Sequence, residues 1–314
     1  MIIAGQLILG ILLLYYGAEW LVGGSARLAR RLGVPPLAVG LTIVAYGTSL
    51  PEQVVSMKAG LDGLGDIAVG NAVGSNIFNI AVILGLSALV RPLQFNRQLL
   101  RIDIPTMLGV SLLLTLLLAD HRLGRLEGAT LFAGIILYTA LTLRRGRGEQ
   151  ADDREISAAT PPDRGTGSVT LPLLTVAAGL LLLTGGARLL VDGAVELATL
   201  LHVSQAVIGL TIVAAGTSLP ELATSVVAAA RKEHDIAIGN IVGSNIFNIL
   251  SVLGLASLVA PLRAEGITTV DLLFLLLTAV LLLPFLFGVK RMSRTWGLLF
   301  LLTYGVYLFL LWPK

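Results

Sequence analysis

The sequence predicts an all-α polytopic membrane protein of ten transmembrane helices, arranged as two inverted-topology five-helix repeats. Three observations carry that prediction. The 314 residues are 55% hydrophobic and 13% charged, with a mean hydropathy of +0.89, so the apolar stretches are too long for an ordinary soluble core. The chain also matches itself at an offset of 169: residues 39–52 agree with 208–221 at twelve of fourteen positions, and 66–80 with 235–249 at thirteen of fifteen. Finally, the basic residues gather in alternate loops.

A bilayer core about 30 Å thick takes roughly 20 apolar helical residues. Such windows place spans at 3–22, 36–60, 67–90, 102–119, 125–143, 171–191, 205–230, 236–259, 268–288 and 295–312. Five spans per repeat is an odd number, so the second repeat enters the membrane from the opposite side, which relates the two by a pseudo-two-fold axis in the membrane plane. Residues 1–143 form the first repeat, 144–170 a linker and 171–314 the second repeat. The first span has no basic n-region and no small-residue cleavage site before Glu19 and Trp20, and reads as a retained helix. The linker is rich in charge, Pro, Gly, Ser and Thr, and reads as cytoplasmic, solvated and mobile. Its acidic residues Asp152, Asp153, Glu155 and Asp163 lack EF-hand spacing.

With the N-terminus outside, the inner loops collect Arg27, Arg30, Arg31, Arg91, Arg97, Arg101, Arg144, Arg145, Arg147, Arg154, Arg164, Arg231, Lys232, Lys290, Arg291 and Arg294, sixteen of the twenty-two Lys and Arg. The positive-inside rule then puts both termini outside a cell membrane and the linker in the cytoplasm. The net charge of +3 thus reports topology and gives no reason to expect a nucleic-acid partner. There is no cysteine, which excludes disulfides, thiolate metal sites and cysteine nucleophiles. His121, His202 and His234 fall in or beside loops.

The chemistry sits in Gly47-Thr48-Ser49-Leu50-Pro51-Glu52 and its copy Gly216-Thr217-Ser218-Leu219-Pro220-Glu221. A glutamate inside an apolar span is costly and reads as functional. Each proline removes a ladder donor and frees carbonyls one turn back. Thr48 and Ser49 precede Glu52 by four and three residues, so their oxygens share a helical face with the carboxylate. The third span adds Gly70-Asn71-Ala72-Val73-Gly74-Ser75-Asn76-Ile77-Phe78-Asn79, echoed at 239–248. Ser75 with Asn79, and Ser244 with Asn248, are spaced i, i+4 along one stripe facing the glutamate. Gly70 and Gly74 would let two backbones approach.

Hard oxygen donors of this kind suit Na⁺ or Ca²⁺ rather than zinc or copper. Taken singly, the glycines could be packing, the hydroxyls could bond their own helix and the prolines could be kinks. Taken jointly and in duplicate, with no basic partner for either glutamate inside the motif spans, they read as a cation site. Glu19 stands apart, because its counterpart at the same offset is Arg188. It reads as an interfacial salt-bridge residue near Arg27.

The paired Gly-Thr-Ser-Leu-Pro-Glu and Gly-Ser-Asn-Ile-Phe-Asn motifs resemble the alpha-repeats of the cation/calcium exchanger superfamily, in particular its prokaryotic-type sodium/calcium exchanger branch. They are dissimilar to the proton/calcium branch, which places Asn-Ala-x-Glu where this chain has Ser-Leu-Pro-Glu. The resemblance implies a secondary active antiporter exchanging Na⁺ for Ca²⁺ by alternating access, not an enzyme, with no cofactor, the two ions and the bilayer as partners, and a monomer. It implies Glu52 and Glu221 as shared central ligands and Asn79 and Asn248 completing the centre. Thr48, Ser49 and Ser75 would line one flanking sodium site and Thr217, Ser218 and Ser244 the other, aided by carbonyls near Ala45 and Ala214. Potassium-dependent relatives carry acidic residues at the asparagine positions, so the neutral pair argues against potassium. The first and sixth spans would slide over a fixed core. The alternatives are a proton-coupled Ca²⁺ or Na⁺/H⁺ antiporter, a channel, which the broken helices disfavour, and a serine hydrolase, which lacks an activating base on the motif spans.

Overall fold

Two long helices, α1 (Ile2–Leu32) and α7 (Thr170–Leu200), form an antiparallel pair laid against the rest of the molecule. The computed structural model describes residues 2–156, 168–202, 214–289 and 291–311. Each of the two helices has 31 residues, about 46 Å at 1.5 Å per residue, so both outrun the expected spans 3–22 and 171–191. Arg27, Arg30 and Arg31 therefore sit on a helix rather than in a loop. Ala, Leu and Arg are strong helix formers, and nothing stops α1 until Gly33, at φ 64°. The pair packs backbone to backbone. A Cβ on Gly17 would lie 2.8 Å from the Leu183 amide nitrogen, and one on Gly186 2.8 Å from that of Leu14.

The remaining helices are α2 (Pro36–Thr48), α3 (Leu50–Leu61), α4 (Gly65–Val90), α5 (Leu99–Asp120), α6 (Arg125–Ile156), α8 (Ala214–Gly216), α9 (Leu219–Ala230), α10 (His234–Val259), α11 (Thr269–Leu286) and α12 (Arg294–Leu311). Among the described residues, eight helices are long and apolar enough to cross a membrane: α1, α4, α5, α6, α7, α10, α11 and α12. The expected span 36–60 is divided at Ser49 into α2 and α3. Of the expected span 205–230, residues 205–213 lie outside the described residues, and the rest is divided into α8 and α9.

One expectation is corrected. The linker does not begin at 144, because α6 stays helical to Ile156; Glu149-Gln150-Ala151 are good helix formers that follow Gly146 and Gly148, and the linker's first proline is at 161. Residues 157–167 lie outside the described residues. The fold is all-α as expected, with two short ladders between loops. Strand β1 (Leu93–Gln94) pairs antiparallel with β4 (Arg291–Met292), and β2 (Arg122–Leu123) with β3 (Leu262–Arg263). These are loop segments whose backbones meet across the two halves of the chain.

Helices α4 and α10 are the innermost elements, with α2, α3 and α9 packed around them. Each is wound wider for one stretch, at Asn79–Leu84 and Asn248–Leu253; such π-helical turns frequently accompany functional sites. Gly243 lets α10 approach α2, since a Cβ there would fall 2.8 Å from the Leu41 carbonyl. The close approach expected at Gly74 is not seen, as nothing described lies within 4 Å of a Cβ there. The segment that the offset places opposite it belongs to 203–213.

Candidate cation site between the two halves

At Ser49 the backbone leaves the helix (φ −83°, ψ 7°), and α3 restarts at Leu50 with Pro51 in its first turn. Ser218 does the same (φ −89°, ψ 8°) ahead of α9 and Pro220. A proline costs least in the first turn, where its missing amide would have no helical partner. The break puts Glu52 and Glu221 at helix N-termini, where the backbone dipole favours a carboxylate. Both side chains are fully enclosed, at 0% and 1% exposure.

The two halves hold each other's acids. Ser49 Oγ donates to Glu221 Oε1 across 3.0 Å, and Ser218 Oγ donates to Glu52 Oε1 across 3.0 Å. Ser218 Oγ also stands 3.1 Å from Ser75 Oγ. Ser75, expected beside Thr48 and Ser49, meets Ser218 of the other half, because α9 packs directly against α4. Thr48 Oγ1 lies 3.0 Å from Asn240 Oδ1, as well as 3.1 Å from the Val44 carbonyl and 3.3 Å from that of Ala45. Thr217 Oγ1 reaches Asn71 Oδ1 at 3.4 Å. The Ala45 carbonyl, expected to aid the flanking site, also accepts the Ser49 amide at 3.1 Å. Ala214 opens α8.

Several buried oxygens and one buried amide have no hydrogen-bond partner among the described residues: Glu52 Oε2, Glu221 Oε2, Ser244 Oγ, Asn248 Oδ1, and Asn79 through both its Oδ1 and its Nδ2. Asn248 Nδ2 donates to Asn76 Oδ1 at 3.1 Å, which leaves the Asn248 oxygen available. Burying a polar group without a partner costs about 1–3 kcal/mol, and more for a charged one. Two carboxylates and a set of neutral oxygens, with no basic side chain among the described residues hydrogen-bonded to either acid, are what a hard cation would satisfy.

Asn71 and its copy Asn240, for which the motifs suggested no role, hold the two breaks in place. Asn71 Nδ2 donates to the Glu52 carbonyl at 3.2 Å and to Ser56 Oγ at 2.9 Å. Asn240 Nδ2 donates to the Glu221 carbonyl at 3.4 Å and to Ser225 Oγ at 2.9 Å. Each asparagine ties one broken helix to the hydroxyl of the other half. The signal was present, since Ser56 with Ser225 and Asn71 with Asn240 are polar pairs kept at the same offset. Helix α7 lies across both breaks: a Cβ on Gly47 would meet Leu180 Cδ1 at 2.6 Å, and one on Gly216 would meet Val191 Cγ2 at 2.6 Å.

The family described as "Sodium/calcium exchanger protein" matches residues 2–144 and 171–312. The chain belongs to the sodium/calcium exchanger family. It is 40% identical over 314 residues to the putative antiporter CaxA of Alkalimonas amylolytica, covering 98% of each chain. It is 31% identical over 343 residues to the sodium/calcium exchanger MaX1 of Methanosarcina acetivorans, covering 97% of each. Its fold is similar to that of the sodium-calcium exchanger NCX_Mj soaked with 10 mM Na⁺ and zero Ca²⁺, with a TM-score of 0.84, 36% identity and 97% of each chain covered. At that level the protein is a multi-pass membrane cation/Ca²⁺ exchanger.

Proposed function

We propose that this exchanger carries Na⁺ one way and Ca²⁺ the other by alternating access, binding both between two inverted five-span repeats. The observation that carries the reading is the crossed pairing of Ser49 with Glu221 and Ser218 with Glu52, which makes one site out of two half-sites. Glu52 and Glu221 are the shared charged ligands. Thr48, Ser49, Ser75, Thr217, Ser218, Ser244, Asn79 and Asn248, with carbonyls at Ala45 and Ala214, supply neutral oxygens. Two carboxylates can neutralise one Ca²⁺ or be shared by Na⁺ ions at adjacent oxygens, so the ions compete for one charge. The neutral Asn79 and Asn248 favour Na⁺ coupling without K⁺.

Inverted topology is supported by the strand pairs. The loop after α4 pairs with the loop before α12, and the loop before α6 with the loop after α10. In a parallel duplication each loop would lie on the same side as its own copy. Here β1 at 93–94 and its copy β3 at 262–263 join different pairs, as expected if the copies lie on opposite sides. Charge asymmetry puts both termini outside and the linker inside. The backbone-close α1/α7 pair lies across both helix breaks and is suited to move as one body over the rest.

Proteoliposomes loaded with Na⁺ are the test. Ca²⁺ uptake should follow an outward Na⁺ gradient and ignore an imposed pH gradient; uptake that follows the pH gradient in the absence of Na⁺ would replace this reading with proton coupling. In the same assay, Asn240→Ala should weaken apparent Ca²⁺ affinity about tenfold, the scale of losing a residue that orients ligands. The protein should still be produced at the normal level.

A further inference from the structure

Glu19 pairs with Arg231 rather than with Arg27, the neighbour its position suggested. Arg231 Nε donates to Glu19 Oε1 at 2.7 Å, and Arg231 Nη2 also pairs with Glu19 Oε2. This bridge ties α1, half of the long pair, to the end of α9. Arg27 is close by: a Cβ on Gly23 would lie 3.4 Å from the Arg27 guanidinium and 3.7 Å from that of Arg231, in ordinary contact with both.

At the 169-residue offset every charge in this group reverses. Glu19 corresponds to Arg188, Arg27 to Glu196 and Arg231 to Asp62. The backbones correspond as well. Asp62 ends α3 at φ −80°, ψ 2°, and Arg231 ends α9 at φ −78°, ψ 0°; each is followed by a left-handed residue, Gly63 at φ 75° and Lys232 at φ 69°. Charge bias between the membrane faces accounts for Arg at one helix end and Asp at the other. It does not account for α1 and α7 each carrying the complementary sign.

The packing is one-sided. Helix α1 lies on α9, whereas among the described residues no comparable contact joins α7 to α3. Thr224 and Val227 of α9 are buried, while their counterparts Val55 and Lys58 of α3 are exposed. The Arg188 side chain is 86% exposed and among the described acids reaches only Asp192, on its own helix, at 4.0 Å. No ion pair joins Asp62 to a described basic group.

We infer that Glu19–Arg231 and Asp62–Arg188 are two alternating ion-pair latches, the first closed here and the second closing when the α1/α7 pair shifts to pack α7 on α3. The inference rests on the alternating-access reading. Movement of the pair breaks one bridge and makes the other, so each end position keeps one bridge closed while the other stands open, and the balance between the two bridges sets the ratio of the two states.

The chain has no cysteine, so pairs of introduced thiols report without background. Glu19→Cys with Arg231→Cys, and separately Asp62→Cys with Arg188→Cys, are treated with a short bifunctional thiol reagent in Na⁺-loaded proteoliposomes. Both pairs should cross-link, and each cross-link should stop Ca²⁺ flux until it is reduced. Arg188→Gln should shift the state ratio about fivefold toward the conformation described here, and Glu19→Gln about fivefold away from it, the scale of a partly exposed ion pair. The exchanged pair Asp62→Arg with Arg188→Asp should restore the original ratio. Failure of the 62/188 pair to cross-link in a protein that exchanges Na⁺ for Ca²⁺ overturns the latches and leaves the exchange reading intact. Cross-linking of both pairs in a protein with no such flux upholds the latches and overturns the exchange reading.

Discussion

Replacing Glu52 or Glu221 by Gln is expected to remove Na⁺-driven Ca²⁺ uptake, by a factor of about 100 or more, since ligand charge count sets Ca²⁺ affinity over many orders of magnitude. The substitution keeps the shape and lets the crossed serine still donate to an oxygen. What it removes is one of only two negative charges, so a divalent ion would be enclosed with half its charge uncompensated, at a cost of several kcal/mol. The two variants should be equally impaired, because each acid is held by the serine of the opposite half. Folding should respond in the other direction. In the ion-free protein the two buried carboxylates lack a cationic partner, so neutralising one removes an unfavourable charge, and both variants should unfold at the wild-type temperature or above it. Uptake assays paired with thermal unfolding in detergent check this. Loss of uptake together with early unfolding would assign the glutamates a structural role instead.

The second large effect concerns the α1/α7 contact. Gly186→Leu should destabilise the protein by about 3 kcal/mol or more, at or beyond the upper end for overpacking. Its Cβ would meet Leu14 N at 2.8 Å and Gly10 O at 2.9 Å, both rigid backbone atoms. Gly185→Leu, one residue away, should be tolerated, because nothing lies within 4 Å of a Cβ there, and exchanging Gly for Leu in a helix is favourable by propensity. Thermal unfolding of the two variants side by side is the measurement. Similar losses in both would mean that the helices are not in backbone contact.

The duplicated motifs made much of the site legible in advance. Position-by-position identity at the offset picked out Glu52, Glu221 and their hydroxyl neighbours, and the prolines marked where the helices break, because a missing backbone donor is a property of one residue. Asn71 and Asn240 were less legible, since an asparagine in a small-residue helix reads equally well as packing until its partner across the chain is known. The ends of α1 and α7 were misjudged for a different reason. Hydropathy windows close after about 20 residues, short of Arg27 and Asp192, whereas a helix stops only where its backbone can no longer continue, as at Gly33.

By itself, the sequence determined the membrane class, the 169-residue duplication, the helix breaks at Ser49 and Ser218 and the identity of the acids, all of which follow from composition, periodicity and local backbone chemistry. Only the tertiary structure decided which serine meets which glutamate, that Ser75 joins Ser218, and that Glu19 bonds to Arg231. Those pairings join residues 143 to 212 positions apart. They depend on which helices lie side by side, and two nearly identical half-sites give the sequence no means of distinguishing a partner in the same repeat from one in the other.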